Sequence, residues 1–242
     1  MHEPEAAPRP MRLCALIPAY NETDNIARVV RGCAAHVDEV LVIDDGSDDE
    51  TAGVAEAAGA TVIVHKRNAG KGAAIRTGFG YVRGHEFDAI VLLDGDGQHD
   101  WNEIPRFVEA SERTGAPVVL GDRMREAGEM PAHRRWTNRT TSRIISRLAR
   151  QRIPDSQCGF RLLRTEVLAD LDLKTANYET ESEMLLQAAA AGHRIESIPV
   201  KTIYNAAPSR IHPVRDTWRF LKLAVRALAR QGIVRRKRKR RR

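Results

Sequence analysis

The strongest constraint on the fold is a rhythm. Short apolar runs alternate with amphipathic stretches, and each run ends in a polar or acidic cluster. Leu13 to Ile17 stops at Pro18 and leads through Ala19, Tyr20, Asn21 and Glu22 into a predicted helix from Thr23 to Ala35. Val40 to Ile43 runs into Asp44, Asp45, Gly46, Ser47 and Asp48, with helix following to Ala58. Thr61 to Val64 precedes the glycine-bearing turn Asn68 to Gly72, which opens a helix from Ala73 to Arg83; Asp88 to Leu93 then meets Asp94, Gly95, Asp96, Gly97 and Gln98. Apolar strands separated by helices specify a mostly parallel sheet covered on both faces. Ligands of such sheets sit at the carboxyl ends of the strands, so the polar clusters should gather on one rim.

The last of these clusters carries the most chemistry. Two carboxylates one residue apart, Asp94 and Asp96, followed by Gln98, are hard oxygen ligands suited to Mg2+ or Mn2+ that shares its coordination with a diphosphate. An acidic turn explains the same spacing, because Asp-Gly pairs are good turn formers. The polar ends of the other three runs favour a nucleotide site. It is not a Walker A loop: for Lys71 that motif requires glycine at His65 and Ser or Thr at Gly72. Nor is it a dinucleotide fingerprint, where Gly70 and Gly72 would need a third glycine at Ile75. Gly70 and Gly72 therefore read as a close turn at a helix N-terminus, with Lys71 either contacting ligand or solvated.

With 242 residues, 42% of them apolar, the chain can bury one large core. Cys14, Cys33 and Cys158 are odd in number and widely spaced, which argues against a disulfide framework or zinc site and for a reducing compartment. Residues 1–11 hold three prolines and two acidic residues without the apolar stretch of a signal peptide, and read as a disordered lead-in. No apolar run reaches the roughly 18 residues of a membrane span. The net charge of +7 resides in Arg235 to Arg242: 39 basic residues less these eight leaves 31 against 32 acidic, a net of −1. An anionic partner is thus met by one segment and not by a basic face of the fold.

Six ordered segments carry a resemblance: IPAYNE (17–22), VIDDGSDDET (42–51), NAGKGAAIRTGF (68–79), LLDGDGQHD (92–100), GDR (121–123) and DSQCGFRLL (155–163). Over about residues 12–215 the chain resembles the inverting family 2 glycosyltransferases, in the branch of dolichyl- and polyprenyl-phosphate mannose or glucose synthases. The resemblance implies an α/β GT-A nucleotide-diphospho-sugar transferase fold, Rossmann-like, with a mostly parallel central sheet flanked by helices. It also implies a GDP- or UDP-sugar donor and a divalent metal. Position by position, Pro18, Tyr20 and Glu22 match the segment around the nucleobase, and Asp45 or its neighbour Asp44 the carboxylate on the base or ribose. Asp94 and Asp96 match the DXD pair, with Asp96 the direct metal ligand and Gln98 a further metal-shell position. Arg123 matches an arginine near the phosphates, and Arg210, beside Ser209, a basic residue that closes over them. Arg134 with Asn138 is the best match for the group that holds the lipid phosphate, Asn138 standing where a serine is more usual. Glu179 or Glu181 matches an acidic segment able to supply a general base; helix-capping acids are the competing reading, because a phosphate acceptor is already ionised at neutral pH. Thr180 or Ser182 could cap a helix from Met184 to Ala191. Asp155 to Arg161 is expected to form a turn beside the donor sugar, with Gly159 allowing close backbone approach, and Cys158 reads as a packing residue.

The second half bears on the acceptor. Arg135, Arg139, Arg143, Arg147 and Arg150 share one arc of a predicted helix, opposite Thr141, Ile144, Ile145, Leu148 and Ala149. That arrangement suits an anionic lipid acceptor or a solvated basic face over a buried apolar one. Ile195 to Tyr204, containing Pro199, reads as an edge strand. Residues 216–234 form a predicted amphipathic helix with a wide apolar face, and the basic run 235–242 follows. The sequence expectation is therefore a GT-A domain (12–215), an interfacial helix (216–234) and a polybasic segment (235–242). Together they make a peripheral enzyme on the cytoplasmic, inner face of a membrane that transfers a hexose to a polyprenyl phosphate. The same donor chemistry on a glycan, a diacylglycerol lipid or a small phosphorylated acid is the alternative. A nucleic-acid-binding protein is a poorer one, since the body is near neutral and no reader motif is present.

Overall fold

The computed structural model describes residues 10–125, 130–177 and 179–203. Arg210, the helix 216–234 and the basic run 235–242 lie outside the described residues.

The first strand, β1 (Leu13–Ala19), is buried along its whole length, which requires cover on both faces of the sheet. It is followed by α1 (Thr23–Ala34), β2 (Glu39–Asp44), α2 (Thr51–Ala57), β3 (Thr61–Val64), α3 (Lys71–Arg83) and β4 (Ala89–Leu92). Ile26, Val29, Val30 and Cys33 recur at helical spacing on α1 and form its buried stripe. A short 3-10 turn (Trp101–Glu103) then leads into α4 (Ile104–Thr114), β5 (Val118–Asp122), α5 (Ala132–Ala149), β6 (Arg161–Arg164), α6 (Thr165–Ala169), α7 (Glu179–Ala191) and β7 (Ile195–Pro199).

The seven strands lie in the order β3-β2-β1-β4-β6-β5-β7. All run in one direction except β6, which is antiparallel to both β4 and β5. The chain builds outward from β1 through β2 to β3 and then returns to lay β4 on the other side of β1. The switch point of the sheet, where a crevice opens, therefore falls between the carboxyl ends of β1 and β4. Ala19 of β1 is level with Asp44 of β2, and Asp44 with Val64 of β3, so three of the polar clusters emerge at one height.

Within the described residues the expected strands and helices are present with shifted ends, and β7 is an edge strand as Pro199 implies. Two expectations are corrected. Asp155 to Arg161 does not end as a turn: Arg161 begins β6, the reversed strand. The helix expected from Met184 begins five residues earlier at Glu179, so Thr180 and Ser182 lie inside it and not before it. Thr180 Oγ1 shares a hydrogen bond with Thr175 Oγ1 (2.8 Å), and Ser182 Oγ accepts one from Gln157 Nε2 (3.2 Å).

Candidate active site

The loop after β4 sits at the switch point. Asp96 Oδ1 accepts from the Gln98 backbone N–H (3.0 Å), which turns the chain so that Gly97 adopts φ +70°. The Arg28 guanidinium of α1 fills the space where a side chain at 97 would stand, its Nη2 2.5 Å from that Cβ position, and lies over the Trp101 ring at 5.6 Å. From the other side the reversed strand delivers residues 155–160. A side chain on Gly159 would put its Cβ 2.8 Å from Asp94 Oδ2, so glycine is what lets this backbone approach the carboxylate. After β7 the chain returns to the same loop, where Ile203 N–H donates to Gln98 O (3.0 Å).

Lys71 is the cation of this cluster. Its Nζ lies 2.5 Å from Asp94 Oδ1 and 2.5 Å from Glu181 Oε1. Burial works against both charges, but the pairing wins: the Asp94 carboxyl is held well below the usual range by Lys71 and His99, and the Lys71 ammonium is held above its own by Asp94 and Glu181. Asp96 goes the other way, raised first by burial and then by the charge of Asp94. A divalent cation shared by the two carboxylates would relieve both effects, so Asp94, Asp96 and the Gln98 amide fit a hard metal ion. Among the described residues no group of three or more His, Cys, Asp or Glu side chains is disposed to hold a metal on its own.

The loops that follow β1 and β2 interlock. Tyr20 donates to Asp48 Oδ2 (3.3 Å), Asn21 N–H to Ser47 Oγ (2.9 Å), Glu22 N–H to Thr51 Oγ1 (2.8 Å) and Asp48 N–H to the Asn21 side chain (2.9 Å). Pro18 is buried within β1. Asp44 Oδ1 accepts from both the backbone and the hydroxyl of Ser47 (2.9 and 2.5 Å). Asp45 accepts from Ala69 N–H (3.0 Å), Gly70 N–H (2.7 Å) and His65 Nδ1 (2.7 Å), so it fastens the turn that presents Lys71. Both aspartates spend acceptor capacity on loop architecture.

At the end of β5 Arg123 makes a bidentate pair with the fully buried Asp155, Nε to Oδ2 at 2.7 Å and Nη2 to Oδ1 at 3.0 Å. The carboxylate thereby fixes the orientation of this arginine. Arg134 and Asn138 stand one turn apart on α5, and Asn138 Nδ2 approaches Met130 Sδ at 4.0 Å. Of the two candidate bases, Glu181 is 3% exposed and committed to Lys71, with Arg161 Nη2 3.8 Å from its other oxygen. Glu179 Oε2 is buried without a hydrogen-bond partner among the described residues. Burial raises the Cys158 thiol to about 12, which suits packing and not nucleophilic chemistry.

Sequence reasoning missed Arg161. It is fully buried and donates to three backbone carbonyls, Cys158 O (2.8 Å), Glu181 O (2.6 Å) and Ser156 O (3.0 Å). Its place in the DSQCGFRLL segment was the available signal, read there as the end of a turn. His99 was also missed: it is 4% exposed, and Nε2 stands 3.8 Å from Asp94 Oδ2.

The model of glycosyl transferase family 2 matches residues 14–172, well over half the chain. The protein belongs to that family. The chain is 30% identical to the UDP-N-acetylglucosamine–dolichyl-phosphate N-acetylglucosaminyltransferase of Methanococcus voltae, over 78% of this chain and 85% of that protein. It is 31% identical to the undecaprenyl-phosphate mannosyltransferase of Micrococcus luteus, over 78% and 83% respectively. The fold is similar to the crystal structure of glucosyl-3-phosphoglycerate synthase from Mycobacterium tuberculosis in complex with Mn2+, uridine diphosphate and glucosyl-3-phosphoglycerate. That match has a TM-score of 0.66 and 19% identity, and covers 90% of this chain and 78% of that one. This family 2 glycosyltransferase therefore has a GT-A-like α/β fold with a mostly parallel central sheet.

Proposed function

We propose that this glycosyltransferase moves a hexose, with inversion, from a nucleoside-diphosphate sugar to a polyprenyl phosphate at a membrane surface. The observation that carries the reading is the Asp94-Gly95-Asp96 loop at the sheet's switch point, with Lys71 between Asp94 and Glu181. The names of the two relatives, both polyprenyl-phosphate sugar transferases, support the acceptor. The metal complex of the structural neighbour supports a divalent ion.

In the proposed reaction a lipid phosphate oxygen attacks the anomeric carbon and forms the new C–O bond. The bond from that carbon to the donor diphosphate breaks, and the diphosphate leaves with the electron pair. A bound Mg2+ or Mn2+ would supply charge neutralisation for the departing diphosphate. Asp96 and Gln98 are assigned to hold it, with Asp94 shared between the ion and Lys71. Pro18, Tyr20, Glu22, Asp44 and Asp45 form or fasten the nucleotide pocket. Arg123, pre-aimed by Asp155, together with Arg134, Asn138 and Arg210, is assigned to phosphate charges, and positioning and electrostatics supply most of the rate enhancement. The acceptor oxygen arrives ionised, so no proton has to be removed. The commitment of Glu181 to Lys71 and Arg161 agrees with a reaction that needs no base. Residues 12–215 are assigned to catalysis. The helix 216–234 and the run 235–242 are assigned to peripheral docking on the inner face of a membrane.

A small phosphorylated acid is the second acceptor worth testing, because the structural neighbour's complex contains one glycosylated. Purified protein would be given radiolabelled UDP-glucose, UDP-N-acetylglucosamine or GDP-mannose with Mn2+ and either short-chain polyprenyl phosphate or 3-phosphoglycerate. Label entering the organic phase supports the lipid; label confined to phosphoglycerate replaces it. Asp96→Asn should abolish metal-dependent transfer, and near wild-type turnover in that variant would refute the metal assignment.

A further inference from the structure

The outer face of α5 has no part in the site just described, and its composition is one-sided. From Met130 to Pro154 the chain contains seven arginines and no Asp or Glu. Along α5 the core side carries Ser142, Ile145 and Leu148, all buried. Ser142 ties the helix to the 155–160 loop, accepting from Ser156 N–H at 2.9 Å. The other side carries Trp136, Arg139, Arg143 and Arg147, all exposed. At 3.6 residues per turn these four fall within an arc of about 80° and extend over about 17 Å of helix axis. Trp136 is 70% exposed and is one of only two large exposed hydrophobic residues among those described. None of the three arginines pairs with a described carboxylate, although acidic partners engage arginines elsewhere on the molecule, as at Arg123, Arg125 and Arg194.

A stripe of guanidinium groups without a carboxylate partner among the described residues, led by an exposed indole, has the chemistry of a helix seated at a lipid–water interface. There the indole sits at headgroup level and the cations meet anionic lipid. The surface is a convex helix flank and not a groove, so it fits a broad anionic plane and not a single bound strand. It is also the same helix whose first turns carry Arg134 and Asn138. We propose that the Trp136–Arg139–Arg143–Arg147 face of α5 is a membrane-docking surface for anionic phospholipid, separate from the basic run 235–242. This surface belongs to α5 itself and serves whatever acceptor the enzyme uses.

The test uses the full chain with Trp101→Phe and Trp218→Phe, which leaves Trp136 as the sole indole. Vesicles of phosphatidylcholine with and without phosphatidylglycerol are added. The expected result is a blue shift of Trp136 emission and protection from acrylamide on anionic vesicles only, reversed by high salt. In the natural tryptophan background, Arg139→Gln, Arg143→Gln and Arg147→Gln together should weaken partitioning by at least about tenfold, with residues 235–242 intact. Trp136 emission unchanged on vesicles that sediment the protein would overturn the proposal, as would a triple variant that partitions like the parent. A shift produced by an RNA oligonucleotide and not by vesicles would also overturn it. Docking through Trp136 in a protein inactive on polyprenyl phosphate would sink the proposed acceptor and leave this surface standing.

Discussion

Lys71 shows how much one residue can join. Its two carboxylate partners come from the loop after β4 and from α7, the latter 110 residues away in sequence. Replacing it by methionine leaves Glu181 buried with only a distant arginine, and breaking a buried pair in this way costs about 3 kcal/mol. For a chain of this size the melting temperature should then fall by roughly 6–12 °C. The pH dependence has a definite sign. Asp94 is depressed in the folded protein, so its stabilising contribution is complete above the ordinary carboxylate value of about 3.9 and is lost as pH falls through the folded value. In Lys71→Met only His99 is left to oppose burial, so the acid-side loss contributed by Asp94 shrinks, and the stability gap between parent and variant should be widest near pH 7 and narrow as pH falls below about 3.9. Melting curves from pH 7 down to pH 3 check this; a variant that melts with the parent's pH profile would show that the pair contributes nothing. Sequence left Lys71 between ligand contact and solvent, and placed Arg123 near phosphate without its Asp155 partner. Residue types at strand ends were legible because the rim collects them. Pairings across 32 or 110 residues were not, because only the packed tertiary structure brings those groups together.

At the scale of elements, the turn before α3 and the start of α7 are fitted to each other. Gly72 N–H donates to Ala176 O (2.8 Å), and a Cβ on Gly72 would lie 2.6 Å from Thr175 O and press on Thr180 Oγ1. The obstructing carbonyl is backbone and cannot swing aside. Gly72→Ala should therefore cost about 1–3 kcal/mol through overpacking and also raise the KM for donor, because the displaced turn carries Lys71. Urea denaturation and donor saturation curves report the two effects; unchanged values of both would mean that the contact relaxes freely. The same interlock explains what the sequence hid. β1 to β4 were readable as apolar runs because parallel strands are buried on both faces. β6 was not, since its four residues begin and end with arginine and Arg161 is buried with its charge. α4 has no counterpart in the sequence expectation. The first turn of α7 read as a polar lead-in, yet Thr180, Glu181, Ser182 and Glu183 are all buried. Their polarity is satisfied by neighbours from distant segments, as where Glu183 accepts from the backbone N–H groups of Lys174 and Thr175, each at 2.9 Å.

For the whole molecule the distribution of charge matters more than its sum. Residues 1–234 are almost balanced in sum while residues 235–242 are uniformly basic, so the net excess of positive charge that attracts an anionic surface at long range comes from that run, beside the local arginine face of α5. A polyprenyl chain would lose about 0.8 kcal/mol for each buried CH2 on leaving the bilayer, so transfer to such an acceptor requires the enzyme to reach the membrane. Each basic residue near anionic lipid contributes roughly 1 kcal/mol, and the attraction fades beyond a Debye length of about 10 Å at 0.1 M salt. The protein should therefore sediment with phosphatidylglycerol vesicles at low salt, and deletion of residues 235–242 should weaken that partitioning by well over tenfold. Partitioning should fall steeply with salt in the parent and less steeply in the deletion, because fewer lipid counterions are then released. Unchanged sedimentation after the deletion would remove this segment from docking, and the arginine face of α5 would have to carry the attraction alone.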